Sequence, residues 1–165
     1  MLTSILSRGT CAKCRLCCTF DSSDIWETPV IVPKLYEKIS AEYPDTKFIT
    51  KGECKLFRLE KPDEQGIFSC PMLRENGCAL GEEKPFDCAV WPLRIMNVGG
   101  RRAITIAPIC PAVCALSLTE LIDFVRGGIA EKIFDYADLH ADIVKDYDDS
   151  YPVLMFEDDK KGSLL

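Results

Sequence analysis

The run Cys11-Ala12-Lys13-Cys14-Arg15-Leu16-Cys17-Cys18 sets four sulfurs within eight residues, and its C-x2-C-x2-C-C spacing decides how the rest of the chain is read. A two-residue gap lets the backbone curl so that neighbouring thiolates point into one centre, as in tetrahedral zinc sites and four-iron clusters. The fourth cysteine follows the third directly. Adjacent side chains are expected to diverge, so Cys18 is expected to serve a second centre. The fold this predicts is small and loop-rich, built around metal.

Length and composition allow a real core beside such a site. The chain has 165 residues, 47% of them hydrophobic, and ten cysteines: the four above with Cys54, Cys70, Cys78, Cys88, Cys110 and Cys114. An even count admits disulfides. However, the segment from Met1 to Arg8 has no cationic start and no sustained apolar run, so nothing there marks the chain for secretion. A cytoplasmic location is expected, where thiols stay reduced and such spacings point to metal or catalysis. The formal net charge of −6 argues against nucleic acid, whose phosphates need a basic face. No stretch is long and apolar enough to suggest a membrane span.

Working outward, Thr28 to Val32 is β-prone, and Lys34 to Tyr43 predicts a helix with Leu35, Ile39 and Tyr43 on one face, stopped by Pro44. Glu60 to Gly66 is a polar loop, and Glu75-Asn76-Gly77 is a second one. Trp91 to Val98 and Arg101 to Ala107 flank Gly99-Gly100 as an antiparallel hairpin, with Arg101 and Arg102 read as its solvated tip. In the second arm Ala103, Thr105 and Ala107 alternate with Ile104 and Ile106. Ser117 and Glu120 have the form of a capping box. After them Leu118, Leu121, Ile122, Val125, Ile129, Ile133, Tyr136 and Val144 recur at helical spacing, broken or kinked at Gly127-Gly128. Tyr151 to Phe156 reads as a further strand. The expected class is α+β: a small single domain over residues 1–156, with a loop-rich metal-binding core, a short antiparallel hairpin and a C-terminal helical region. Residues 157–165 are expected to form a polar tail.

The second cysteine group reads Cys70-Pro71-Met72-Leu73, then Gly77-Cys78-Ala79-Leu80, then Lys84-Pro85-Phe86-Asp87-Cys88-Ala89-Val90-Trp91-Pro92. With the opening run, this order of elements resembles the CxxCxxCC cysteine-cluster family, the YkgJ-type zinc- or iron-chelating domain, from Cys11 to about Cys110. The resemblance implies a ligand set of Cys11, Cys14, Cys17, Cys18, Cys70, Cys78, Cys88 and Cys110, and leaves Cys54 and Cys114 as additions. Eight thiolates would fill two four-ligand centres. Cys70-Pro71 and Cys110-Pro111 are similar to the Cys-Pro of bacterial ferredoxin sites, and the later cysteines are too scattered for the close pairs usual in structural zinc. Two 4Fe-4S clusters are therefore expected, with zinc as the alternative.

The chemistry that is missing narrows the function. His140 is the one histidine, which excludes catalytic sets and iron sites built on several histidines, and its place near the apolar stripe fits a core residue better than a ligand. No phosphate loop, dinucleotide fingerprint or G-x-S-x-G is present. The resemblance then implies an iron–sulfur protein with an electron-transfer or redox accessory role, handing electrons to a protein partner. Two alternatives stand beside it. One is a zinc-stabilised interaction module; the other is an open-site iron–sulfur enzyme related to the lysine methylases that some larger relatives resemble.

Overall fold

The computed structural model of the chain describes residues 2, 5, 8–22 and 25–162. The α+β class holds, and the chain gathers into two compact units, one running through Ala89 and one from Val90 onward.

The N-terminal unit opens with helix α1 (Arg8–Cys14), a single 3₁₀ turn over Leu16–Cys18 and the short strand β1 (Thr19–Phe20). Strand β2 (Val30–Ile31) leads into α2 (Pro33–Glu42), with Pro33 at the first helical turn, where its missing N–H costs nothing. The helix ends where the sequence places Pro44. Its inward residue Ile39 is fully buried and packs with Ile31, Phe57, Met72 and Leu80, while Leu35 and Tyr43 flank the same cluster. Strands β3 (Phe48–Lys51) and β4 (Cys54–Phe57) form a hairpin, and β4 sits at the centre of the order β2-β4-β3. The loop expected over Glu60 to Gly66 is irregular backbone. Next come β5 (Phe68–Ser69), β6 (Leu73–Arg74) and β7 (Gly77–Cys78), followed by α3 (Phe86–Val90).

The C-terminal unit is built on the expected hairpin, β8 (Leu93–Val98) with β9 (Arg101–Ile106). Gly99 and Gly100 have φ of 60° and 87°, the double positive φ of the turn whose twist suits paired strands. The short helix α4 (Pro111–Cys114) follows. Helices α5 (Leu118–Phe124) and α6 (Ala130–Leu139) then flank the glycine pair, and β10 (Lys145–Asp146) and β11 (Val153–Phe156) complete a four-stranded sheet of order β10-β8-β9-β11.

Three expectations for this unit change. The second hairpin arm is buried continuously from Ala103 to Ala107 instead of alternating, because β9 is a central strand covered on both faces. Leu118, at the start of the apolar stripe, is 58% exposed, lying in the first turn beside the capping box of Ser117 and Glu120. Arg102 is no free hairpin tip: it is half-buried and paired with Glu157 and Asp138, so the start of the expected tail is anchored. Residues 163–165 of that tail lie outside the described residues.

Candidate metal centre

Helix α1 carries Cys11, half-buried, and Cys14, exposed. It ends at Arg15, whose left-handed φ of 61° reverses the chain into the 3₁₀ turn holding Cys17 and Cys18. A 3₁₀ turn steps successive side chains by roughly 120° instead of opposing them as an extended strand does. The Cys17 and Cys18 Sγ atoms accordingly lie 3.9 Å apart. The expected divergence of these neighbours is thus not met.

The second cysteine segment is brought to the first by main-chain bonds. β1 pairs antiparallel with β5, Thr19 opposite Ser69 and Phe20 opposite Phe68, and the Cys70 N–H donates to the Cys18 carbonyl at 2.8 Å. At Cys70-Pro71 the chain turns, the Leu73 N–H reaching back to the Cys70 carbonyl at 2.9 Å. The β6–β7 hairpin then places Cys78 opposite Leu73, and α1 packs against β7. Cys70 and Cys78 both lie against the core cluster of Met72 and Leu80. The Cys70 thiol is pushed up to about 11, chiefly by burial and in smaller part by the nearby Cys78 and Cys17 sulfurs, against the pull of the Met72 backbone and the Arg74 charge. The structure therefore brings Cys17, Cys18, Cys70 and Cys78 into one neighbourhood, with the α1 cysteines beside it.

The remaining cysteines are placed differently. Cys88 is half-buried on α3, next to Asp87, whose buried carboxylate accepts the Val30 N–H at 2.9 Å. Cys110 is buried at the start of α4 and belongs to the C-terminal unit. Cys54 is buried on the central strand β4. Cys114 is exposed and directs its thiol to the Pro108 carbonyl at 3.2 Å. His140 caps α6 with its ring 4.6 Å from that of Tyr136.

The donor set fits a thiophilic metal. None of the ten cysteines is in a disulfide, and thiolates select zinc and iron–sulfur centres. For metal–sulfur bonds near 2.3 Å, tetrahedral geometry places two sulfurs on one ion about 3.8 Å apart, close to the Cys17–Cys18 separation. Among the described residues no group of three or more His, Cys, Asp or Glu side chains already stands in position to hold an ion. A metal held here would require the thiols to close in on it and lose their protons.

Two structural features near the cysteines escape sequence reasoning. Arg15 sits in a conformation that favours glycine, and nothing in its identity announces this. Asp87 stands in the sequence only as an interior position of the K-P-x-x-C element, and its burial and its bond from the Val30 N–H carry no local signal. The K-P-x-x-C element around it was visible only as a cysteine motif.

No protein-family model, curated protein or solved structure matches this chain.

Proposed function

We propose that this chain is a cysteine-ligated iron–sulfur protein with an electron-transfer or redox accessory role, drawing ligands from Cys11, Cys14, Cys17, Cys18, Cys70, Cys78, Cys88 and Cys110 in two 4Fe-4S centres. The observation that carries the reading is the convergence of thiols from two distant segments, Cys17 and Cys18 on one side and Cys70 and Cys78 on the other, across the Cys70–Cys18 main-chain bond, none of them in a disulfide. The resemblance to the YkgJ-type zinc- or iron-chelating domain supports it, as do the two Cys-Pro elements. The chemistry supplied by such centres is one-electron exchange. The chain's own part is to shield the thiolates in a low-dielectric setting and present them to a protein partner in the cytoplasm. Among the described residues no helix is long and apolar enough to cross a membrane.

One observation favours a second reading. The 3.9 Å separation of Cys17 and Cys18 suits two thiolates on one tetrahedral ion, whereas in a cubane each cysteine binds its own iron and the sulfurs stand farther apart. That is the geometry of a zinc-stabilised interaction module. Anaerobic purification with iron, zinc and acid-labile sulfide analysis decides. Brown protein with matched iron and sulfide, bleached by dithionite, is the expected result. Colourless protein holding stoichiometric zinc and no sulfide after anaerobic reconstitution overturns it in favour of zinc.

A further inference from the structure

Arg15 is the one non-glycine with positive φ among the described residues. An L-residue in that region places its Cβ close to the neighbouring carbonyl, which is why glycine ordinarily takes such positions. Arginine at this position makes side-chain contacts that glycine cannot. The Arg15 N–H donates to the Cys11 carbonyl at 3.1 Å, ending α1, and the Arg15 carbonyl accepts the Cys18 N–H at 2.9 Å, closing the 3₁₀ turn. Its Nε donates to the Ala12 carbonyl at 3.2 Å. Its Nη2 crosses to the Glu75 carbonyl in the β6–β7 turn.

That last contact joins the two cysteine segments. Glu75 and Asn76 form the turn that fixes Cys78 opposite Leu73, and a methyl group built on Gly77 would stand 3.7 Å from the Ala12 side chain. Helix α1 and the hairpin thus meet, and beside them lies an open cleft lined by Gly9, Ala12, Lys13, Arg15, Glu75 and Asn76. The guanidinium, with its planar fork of donors, spans from one wall to the other. Lysine can supply the charge but not the fork.

We propose that Arg15 is a positioning residue for the thiol cluster, a strut that sets the Cys11–Cys18 run against Cys78 and so fixes the geometry in which metal is held; this rests on the reading that the cluster binds metal. The strut is exposed to water, so its hydrogen bonds add little to the stability of the metal-free fold. Its effect belongs in the hold on metal, as with other groups that orient ligands without touching the ion.

The test compares the full-length parent with Arg15→Gly, Arg15→Lys and Glu75→Ala, each loaded anaerobically with iron and sulfide and, in parallel, with cobalt(II) as a tetrahedral thiolate probe. Release of metal to a competing chelator and the sulfur-to-metal charge-transfer absorption are measured, with circular dichroism melting of each metal-free protein. Arg15→Gly and Arg15→Lys should release metal roughly tenfold faster, by the usual cost of losing an orienting partner, with a shifted absorption band, while the metal-free melting temperature is unchanged in Arg15→Lys and not lowered in Arg15→Gly, where glycine relieves the positive φ. Glu75→Ala should match the parent, since the accepting carbonyl remains. If Arg15→Gly fails to fold, Arg15→Lys decides alone. Variants at Arg15 that hold metal as long as the parent, or a Glu75→Ala protein that loses it as fast as they do, overturn the inference while leaving the metal reading intact. A parent that takes up neither iron nor cobalt overturns the metal reading, and the role of Arg15 with it.

Discussion

The backbone N–H of Cys70 donates to the carbonyl oxygen of Cys18 at 2.8 Å, so the last cysteine of the opening run and the first of the second group are locked side by side by main chain. This bond continues the β1–β5 ladder and exists whatever the side chains hold. The two cysteine segments are therefore brought together by folding itself, so the loop-closure entropy of bringing them together is met by main-chain pairing and not by any ligand.

That arrangement changes what substitution of the neighbouring pair should do. With Cys17 and Cys18 sulfurs 3.9 Å apart, Cys17→Ser and Cys18→Ser should remove the same spectral component and the same share of bound metal. Cys54→Ser should keep its metal and instead lose roughly 1–2 kcal/mol of folding stability, because a hydroxyl replaces a buried thiol on the central strand. Metal content, the electron paramagnetic resonance of the reduced state and urea melts separate these effects. Distinct spectral losses for Cys17→Ser and Cys18→Ser would restore the division of this pair between two centres.

Cys70 gives a pH signature in the metal-free protein. Its folded thiol is raised from 9.0 to about 11, first by burial, so between those values the folded chain keeps a proton that the unfolded chain sheds. Proton retention by the folded state means that stability falls as pH rises. The Cys70 contribution is fully present below pH 9 and is lost on approach to pH 11. Chemical denaturation over this range should show a shallower fall for Cys70→Ser than for the parent. In the loaded protein the sign reverses: metal displaces the protons, so metal affinity at neutral pH should rise with pH.

Much of the fold is legible in the sequence where one local rule suffices. Pro33 and Pro44 bracket α2, Gly99-Gly100 makes the β8–β9 turn, and Ser117 with Glu120 forms the capping box in full. What is not legible depends on contacts between distant segments. The continuous burial of Ala103 to Ala107 reflects cover on both faces of a strand that lies inside its sheet, which periodicity within one strand cannot show. The approach of Cys17 and Cys18 follows from a 3₁₀ turn set by the left-handed Arg15, and arginine carries no signal for that conformation. The cysteine spacing points to a thiol cluster, but the meeting of Cys18 with Cys70 is a matter of strand pairing.

The glycine pair between α5 and α6 offers a test with opposite signs at adjacent residues. Gly127 has φ −69° and Gly128 has φ 110°, and a Cβ on either would meet no atom within 4 Å. Space is thus equal and backbone conformation decides. Gly127→Ala should leave stability unchanged or raise it by about 0.5 kcal/mol, through a less flexible unfolded chain. Gly128→Ala should lower it by about 1 kcal/mol, through strain at positive φ. Equal effects in thermal or urea melts would mean that the break does not persist at Gly128 in solution.

Arg102 tests whether the segment after β11 is part of the fold or a tail. Its Nε and Nη2 donate to the two Glu157 carboxylate oxygens at 2.8 and 2.6 Å, and Nη2 also reaches Asp138 of α6 at 2.6 Å. The two-point geometry needs the planar guanidinium. Beside it, Arg101 lies 4.0 Å over the Phe156 ring and pairs with Asp158. Arg102→Lys keeps the charge and loses the fork, so it should cost about 1 kcal/mol, as should Glu157→Gln. Because they break one interaction, the double variant should cost little more than either single one. The half-burial of both partners means that about 1 M salt should weaken this coupling without abolishing it. Additive costs, or an Arg102→Lys protein as stable as the parent at low salt, would show that the Arg102–Glu157 pair does not hold this segment to the folded unit.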